Sequence, residues 1–268
     1  MKSLKKILTF IIFLGMGVML QAKEFKIMTY NIYGARLTNG EKLGKTIKKY
    51  NPDFIVLQEV DKNTRRSNKR DVTEDIADKL GYNEYYFQKT LDFDGGEFGI
   101  SIISKYPIER YYTFELPSVG NEKRYLLGVQ ISKDVFGKTV TIINAHLNYQ
   151  ENIKAEETEE VLAVTDIFEG DIKFLAGDLN MLPTSESYSK YLKKWTDSYT
   201  EIKGSPSNSE VEKDKQRNVK DTRIDYIFGD KSKNWKVNKS FFVKDESEKW
   251  DELSDHVPYM VEFEIKGK

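Results

Sequence analysis

The amino-acid sequence predicts an α/β fold in which β-sheets pack between helices. Two observations predict it. Short apolar segments rich in β-branched and aromatic residues alternate along the chain with segments whose apolar residues recur at helical spacing. The chain also has 268 residues, 39% hydrophobic and 13% aromatic, enough for one large domain or two small ones. Because no internal repeat or low-complexity linker divides the chain, we expect one α/β domain.

Nine segments have the length and composition of strands. In chain order they are Phe25–Asn31, Phe54–Gln58, Phe98–Ser104, Arg124–Ser132, Thr139–His146, Ile172–Ala176, Arg223–Phe228, Val237–Val243 and Pro258–Ile265. Three segments between them have helical spacing: Glu41–Tyr50, Val72–Leu80 and Asn152–Phe168. The polar segment Gly204–Asp221, rich in Ser, Asn, Lys and Glu, is predicted to be a surface loop.

The first 22 residues have the pattern of a signal peptide. A lysine-rich start precedes a run of about 14 mostly apolar residues, Ile7 to Leu20, and Gln21–Ala22 offers a small residue for cleavage. This run is shorter than the roughly 20 residues that a membrane-spanning helix needs. We therefore expect residues 1–22 to be removed on export and residues 23–268 to form the mature domain. An uncleaved N-terminal anchor is the alternative.

Charge and cysteine content exclude several classes of protein. Without Lys2, Lys5 and Lys6 the chain has 39 basic and 43 acidic residues, a net charge of −4. That balance argues against a tight nucleic-acid binder, which needs clustered Lys and Arg, but leaves open an enzyme that meets nucleic acid transiently. Cysteine is absent, which excludes thiol catalysis, cysteine-bound metals and disulfides.

Polar side chains recur where apolar strands end. The segments "FKIMTYN", "DFIVLQE", "VTIINAHLN" and "IKFLAGDLN" end in polar residues: Asn31, Glu59, His146, Asn148, Asp178 and Asn180. Period-two alternation places Asn148 on the same side of its strand as His146. Each residue alone is a common turn former or a solvated strand end. Ligand sites of α/β proteins gather at the carboxyl ends of strands, so the joint recurrence predicts a functional site.

Asp225 differs because it lies inside a predicted strand, between the apolar residues of "RIDYIF". An unpaired carboxylate there would cost several kcal/mol or take up a proton, so it needs a partner. One possibility is a structural ion pair with Arg or Lys. The other is a histidine, whose ring Asp225 would orient and whose protonated form it would stabilise. The chain has only two histidines, His146 and His256.

These residue types favour metal-assisted phosphoester chemistry. An oxygen-rich, sulfur-free set suits a hard cation, Mg²⁺ or Mn²⁺. Its members are Asn31, Glu59, Asp178, Asn180, Asp225 and Asp255. A divalent ion and an imidazole would neutralise charge on phosphoryl oxygens, while a base prepares water for in-line attack. The sequence thus suggests hydrolysis of a phosphoester.

Six motifs resemble those of the endonuclease/exonuclease/phosphatase superfamily, which includes deoxyribonuclease I, exonuclease III, bacterial sphingomyelinases and inositol polyphosphate 5-phosphatases. The motifs are "MTYNIYG", "LQEV", "NAHLN", "AGDLNMLP", "RIDYIF" and "LSDHVP", in family order from Met28 to Pro258. The resemblance implies a four-layer sandwich of two mixed β-sheets flanked by helices. It also implies that residues 23–268 form a catalytic domain that hydrolyses phosphoester bonds.

The resemblance further implies a metal site and a water site. Asn31, Glu59 and Asp255 match the positions that hold the metal ion. Asp178 and Asn180 match the pair that positions and activates the attacking water.

The remaining matches concern the substrate. His146 and His256 match positions on either side of the scissile phosphate, with Asp225 holding His256. Which histidine acts as base, and which as acid or phosphate stabiliser, stays open. Arg124 matches a strand arginine that faces substrate, with a surface salt bridge as the alternative. We also expect Asn148 to bind substrate.

The sequence therefore predicts an exported, divalent-metal-dependent phosphoesterase, a monomer with no stable protein partner. Nucleic acid, a phospholipid head group and a phosphorylated sugar or inositol all fit the motifs as substrate, through a phosphodiester or a phosphomonoester. Phe98 stands where exonuclease III-like repair enzymes have a tyrosine, which argues against repair of abasic sites. A catalytically inactive binding or effector protein on the same fold is the alternative, although this chain retains every expected ligand and histidine.

Overall fold

Two six-stranded β-sheets lie at the centre of the protein. The computed structural model describes residues 23–204, 223–232, 234–244 and 248–266. The predicted signal peptide, residues 1–22, and the predicted loop beyond Gly204 lie outside the described residues. The strands are β1 (Lys23–Asn31), β2 (Phe54–Lys62), β3 (Glu84–Phe93), β4 (Gly96–Ser104), β5 (Ile108–Leu116), β6 (Arg124–Ile131), β7 (Val140–His146), β8 (Ile172–Asp178), β9 (Trp195–Asp197), β10 (Asp225–Asp230), β11 (Trp235–Phe242) and β12 (Tyr259–Ile265). The helices are α1 (Gly40–Lys48), α2 (Val72–Leu80), α3 (Lys133–Phe136), α4 (Glu151–Val164), α5 (Glu186–Lys194) and α6 (Ser198–Lys203).

Both sheets are mixed. The first has the strand order β11-β12-β1-β2-β4-β3, and the second has the order β5-β6-β7-β8-β10-β9. One central pair in each sheet is parallel, β1 with β2 and β7 with β8, whereas the other neighbours pair antiparallel. A parallel pair brings the carboxyl ends of its strands to one edge, which collects the polar residues that follow them.

Aromatic side chains join the two sheets. Phe174 of β8 contacts Phe25 of β1 and Phe263 of β12, with ring centroids 5.5 and 4.4 Å apart. All three rings are buried, and burying one such side chain contributes roughly 1.5–3 kcal/mol. The core between the sheets therefore fixes how their edges face each other.

Helices cover the outer faces of the sheets. Leu43 and Ile47 of α1 pack with Ile76 of α2 in one apolar cluster on the first sheet. Leu162 of α4 and Tyr191 of α5 belong to a second apolar cluster on the second sheet. The resulting order of helices, sheet, sheet and helices confirms the predicted four-layer α/β sandwich. No helix within the described ranges is long and apolar enough to cross a membrane.

The sequence patterns do not predict β3, β5 or β9, nor the helices α3, α5 and α6. β3 and β5 are edge strands, and most of their residues are exposed or half-buried. Their segments "EYYFQKTLDF" and "IERYYTFEL" mix tyrosines with charged residues, so no buried run marks them. The predicted interior position of Asp225 is also wrong, because this residue is the first of β10.

Candidate active site

The ends of the central strands meet at one edge of the two sheets. In the second sheet, His146 at the end of β7 and Asp225 at the start of β10 flank Asp178 at the end of β8. Asn31 ends β1 in the first sheet and donates from Nδ2 to Oδ2 of Asp178, at 3.0 Å. Predicted site residues from three other strands, in both sheets, therefore lie next to Asp178.

Gly177 permits the close approach of β7 and β8 at this point. Its φ is +148°, and a Cβ atom there would lie 1.8 Å from the carbonyl oxygen of Ala145. Any other residue would push the strands apart one position before His146 and Asp178. The glycine of "AGDLN" is thus required by the geometry of the site.

His256 pairs with Asp225, the partner that the sequence offers as one of two possibilities. Nδ1 of His256 lies 2.9 Å from Oδ2 of Asp225. The loop that carries His256 is tied to β1, because its backbone N–H donates to Oγ of Ser254 and that hydroxyl donates to the carbonyl of Asn31, at 3.1 and 2.7 Å. The hydrogen bond to Asp225 and the backbone contacts through Ser254 therefore fix the imidazole at the sheet edge.

The segment before β10 also holds Asp225 in place. The hydroxyl of Tyr226 donates to the carbonyls of Met181 and Arg223, at 2.9 and 3.0 Å. Arg223 in turn forms a fully buried ion pair with Asp197, with 2.5 Å between Nη2 and Oδ2. These contacts link the start of β10 to the loop after β8.

The two histidines carry different charges. Burial lowers the pKa of His256, but the carboxylate of Asp225 and its hydrogen bond outweigh burial and raise this pKa to about 10. Burial lowers the pKa of His146 well below its usual value, and the cations Arg124 and His256 lower it further. At neutral pH, His256 is therefore an imidazolium and His146 a neutral imidazole.

Asp178 lies between the two imidazoles. Its Oδ2 is 3.6 Å from Nε2 of His256 and 3.7 Å from Nε2 of His146, while its Oδ1 accepts the backbone N–H of Asn180 at 3.0 Å. Burial raises the pKa of Asp178; the imidazolium of His256 opposes that rise and the carboxylate of Asp225 adds to it. A carboxylate whose pKa moves towards neutral is better suited to accept a proton.

Glu59 and Asn31 form an oxygen-rich corner beside Asp178. Nδ2 of Asn31 donates to Oε1 of Glu59 at 3.1 Å, and Oδ1 of Asn31 accepts the N–H of Tyr33. Glu59 lies at an irregularity of β2 with a φ of +53°, a conformation that costs a non-glycine residue roughly 1–3 kcal/mol. No described lysine or arginine forms an ion pair with it. A strained, unpaired carboxylate beside an amide fits a ligand of Mg²⁺ or Mn²⁺.

A second group of ligand-type atoms lies nearby. Asp178, Asp225 and His256 each offer one such atom within 4.8 Å of the others. An imidazolium has no free lone pair for a metal ion, so the charge of His256 makes this group the weaker candidate. Asp255, the third predicted ligand, is exposed, and its Oδ1 lies 3.4 Å from Oγ of Ser254.

Helix α4 holds the loops that follow β7 and β8. Glu157 accepts the backbone N–H of Asn148 at 2.7 Å, and the ammonium of Lys154 donates to the carbonyl of Asn180 at 2.6 Å. Both α4 side chains are buried. Nδ2 of Asn180 donates to the carbonyl of Leu147 at 2.9 Å, which ties the two loops together.

A cleft of about 370 Å³ opens at this edge. Six of the ten predicted residues line it: Glu59, Arg124, His146, Asp178, Asn180 and His256. Asn31 and Asp225 contact these residues, whereas Asn148 and Asp255 are not part of the lining.

Asn148 and Arg124, the two residues predicted to contact substrate, both form contacts within the protein. Oδ1 of Asn148 accepts the N–H of Gln150 at 2.8 Å, so this side chain shapes the turn before α4. Arg124 lines the cleft and also pairs with Glu122, with 2.9 Å between Nη1 and Oε1. The ion pair predicted as the alternative for Arg124 therefore forms, but on a buried arginine rather than on the surface.

The cleft also contains residues that the sequence patterns do not single out as site residues: Arg36, Arg66, Leu91, Phe93, Glu122 and Tyr149. Arg36 and Arg66 lie in loops, where no periodicity marks a side that faces the site. Glu157 did carry a signal, because it lies four residues after Ile153 and four before Val161 on the buried side of α4.

The sequence is similar to that of a curated bacterial protein. It is 25% identical over 173 residues to the uncharacterized protein YbhP of Escherichia coli, and the match covers 60% of this chain and 68% of YbhP.

Solved structures share the fold. One is the crystal structure of an endonuclease/exonuclease/phosphatase from Beutenbergia cavernae, with a TM-score of 0.72 and 20% identity over 91% of this chain and 72% of that chain. Another is the human Nocturnin catalytic domain with bound sulfate anion, with a TM-score of 0.68 and 16% identity over 92% of this chain and 97% of that chain. The model of the Endonuclease/Exonuclease/phosphatase family matches residues 28–256, which include every residue of the site. The chain therefore belongs to the endonuclease/exonuclease/phosphatase family.

Proposed function

We propose that the protein is an exported, divalent-metal-dependent phosphoesterase. Members of this family are typically hydrolases of phosphoester bonds. The observation that carries the proposal is the position of Asp178, whose Oδ2 lies 3.6–3.7 Å from Nε2 of both histidines at the cleft. One buried carboxylate, one imidazolium and one neutral imidazole at a single opening suit hydrolysis of an anionic ester better than passive binding.

The proposed reaction uses Asp178 as the base. Asp178, oriented by Asn180 and Asn31, accepts a proton from water as the water oxygen bonds to phosphorus. The bond between phosphorus and the leaving oxygen breaks, and that oxygen takes up a proton from solvent.

The two histidines bind the phosphoryl group in different ways. His256, held as an imidazolium by Asp225, faces the negative charge that builds up on the phosphoryl oxygens. His146, which is neutral, donates a hydrogen bond to the phosphoryl group from the side opposite His256.

We propose that Mg²⁺ or Mn²⁺ binds at Glu59 and Asn31, with Asp255 as the third ligand. The family usually uses a divalent metal, and this donor set consists of oxygen atoms only. A bound ion supplies positive charge that polarises the phosphoryl group. The unpaired, strained Glu59 is the feature of this chain that supports the site.

An assay panel tests the proposal. The purified chain is incubated with Mg²⁺ and with DNA, RNA, sphingomyelin, a sugar phosphate or inositol phosphates, and release of product is followed. We expect hydrolysis of at least one of these, loss of it in EDTA and recovery with Mg²⁺ or Mn²⁺. Hydrolysis that persists in EDTA would contradict the metal site. Absence of hydrolysis across the panel would favour the inactive binding protein.

A further inference from the structure

Arg66 lies on the cleft in a position that is fixed from three sides. Its Nε and Nη2 donate to the two carboxylate oxygens of Asp61, at 2.6 and 2.7 Å. Asp61 is fully buried and also accepts the hydroxyl of Thr64 at 2.7 Å. The guanidinium stacks on Phe93, with 4.4 Å between its carbon and the ring centroid. Such a fork is oriented before any ligand arrives.

Gly34 provides the space for this guanidinium. Its φ is +61°, and a Cβ atom there would lie 2.4 Å from Nη2 of Arg66.

The remaining nitrogen of Arg66, Nη1, has no hydrogen bond to any residue in the described ranges. The side chain of Arg66 is 23% exposed, and Arg66 is one of the residues that line the cleft. A fixed arginine therefore keeps donor capacity for a ligand.

Asp61 offsets the positive charge of Arg66, so the net positive charge at this part of the cleft comes from Arg36. It lines the same cleft, is exposed, and lies over the ring of Tyr33, with 4.3 Å from its guanidinium carbon to the ring centroid. Within the described ranges it forms no ion pair. Arg124, the other arginine of the cleft, differs because it forms an ion pair with Glu122.

We infer that Arg66 and Arg36 form a second anion seat, which binds a phosphate group other than the one that is hydrolysed. The substrate class is then a phosphoester that carries a second phosphate. The inference rests on the proposed function for the identity of the first phosphate. Phe93 and Phe98 beside the seat lower the local dielectric and so strengthen the contact between guanidinium and phosphate.

Binding of phosphonates tests the seat without depending on turnover. Isothermal titration calorimetry of the full chain with Mg²⁺ compares propyl- and pentylphosphonate with propane-1,3- and pentane-1,5-bisphosphonate, whose carbon–phosphorus bonds resist hydrolysis. We expect at least one bisphosphonate to bind about tenfold more tightly than its matched monophosphonate, the size expected for a charge-assisted hydrogen bond. Equal affinities in the wild type would overturn the inference.

Two variants and one control locate the effect. Arg36→Gln and Arg66→Gln should each remove most of the preference for the bisphosphonate. Arg65→Gln should keep it, because Arg65 is exposed, pairs with Asp94 and does not line the cleft. A preference that survives in both Arg36→Gln and Arg66→Gln would overturn the inference. If Arg66→Gln unfolds because Asp61 loses its partner, the double variant Asp61→Asn/Arg66→Gln replaces it, and Arg36→Gln stands alone.

Hydrolysis of bis(p-nitrophenyl) phosphate, which has one phosphate, separates this inference from the proposed function. Turnover of that diester without a bisphosphonate preference refutes the seat alone. A preference that depends on Arg66 and Arg36, without any phosphoester turnover, supports the seat and refutes the proposed function alone.

Discussion

Asp225 and His256 lie 2.9 Å apart although 31 residues separate them in sequence. Carboxylate and imidazole stabilise each other's charged forms, which is why His256 keeps a proton despite its burial. Without Asp225 the ring would lose the hydrogen bond that orients it and the carboxylate that does most to raise its pKa. The two side chains should therefore behave as one unit.

A double-mutant cycle measures that unit. His256→Ala should lower kcat by ~10²–10⁴-fold, and Asp225→Asn should cost much of the same factor. The double variant should be little worse than His256→Ala, because each change removes the same interaction. Both single variants should still bind Mg²⁺ in a metal titration. Losses that multiply in the double variant would show that the two residues act independently.

At the scale of secondary structure, α4 positions the site. None of its residues lines the cleft, but its side chains hold the two loops that carry lining residues. The carboxylate of Glu157 accepts the backbone N–H of Asn148, two residues after His146. Burial raises the pKa of Glu157 to about 7. The folded chain thus binds a proton at this residue that the unfolded chain has released, over the interval between the ordinary pKa of 4.5 and about 7. The contribution of Glu157 to folding stability therefore falls as pH rises through that interval.

Glu157→Gln should remove this part of the pH dependence, because a glutamine oxygen still accepts the N–H of Asn148 but does not ionise. The wild type should lose up to roughly 3 kcal/mol of unfolding free energy between pH 4.5 and pH 7.5 from this residue. Urea unfolding at both pH values measures it. Glu156→Gln, at an exposed neighbouring position, should behave as the wild type. Identical slopes for Glu157→Gln and the wild type would exclude Glu157 as the source.

Buried central strands can be predicted from the sequence, whereas exposed edge strands cannot. Central strands such as β7 and β8 are buried along their length, so their apolar runs and polar ends are visible in the sequence, and those polar ends meet at one edge as expected. β3 and β5 have one buried residue each and carry no such run. Arg66 gives no sequence signal, because its role arises from contacts with Gly34, Asp61 and Phe93 that only the folded chain creates.

At the scale of the whole molecule, packing of the two sheets creates the site. Asn31 and Asp178 are 147 residues apart and belong to different sheets, yet they share a hydrogen bond of 3.0 Å. The order of six motifs predicted which residues would meet, but not how the charges of the two histidines would differ. That difference follows from burial and from the neighbours of each ring.

Export is a property of the whole chain. If residues 1–22 act as a signal peptide, the exported protein should begin at or near Lys23, where β1 begins. N-terminal sequencing of protein from the extracytoplasmic fraction checks this. Recovery of that protein with Met1 intact would indicate an uncleaved anchor, and its absence from the fraction would refute export.

The most direct test of the site as a whole is the kcat of Asp178→Asn on the substrate that the assay panel identifies. Because Asp178 lies beside both histidines and is hydrogen-bonded to Asn31 and Asn180, we expect a loss of ~10²–10⁴-fold with the fold intact by circular dichroism. Asp134→Asn, at an exposed position in α3, should retain wild-type kcat. Wild-type kcat in a folded Asp178→Asn variant would contradict the role of Asp178 as the base.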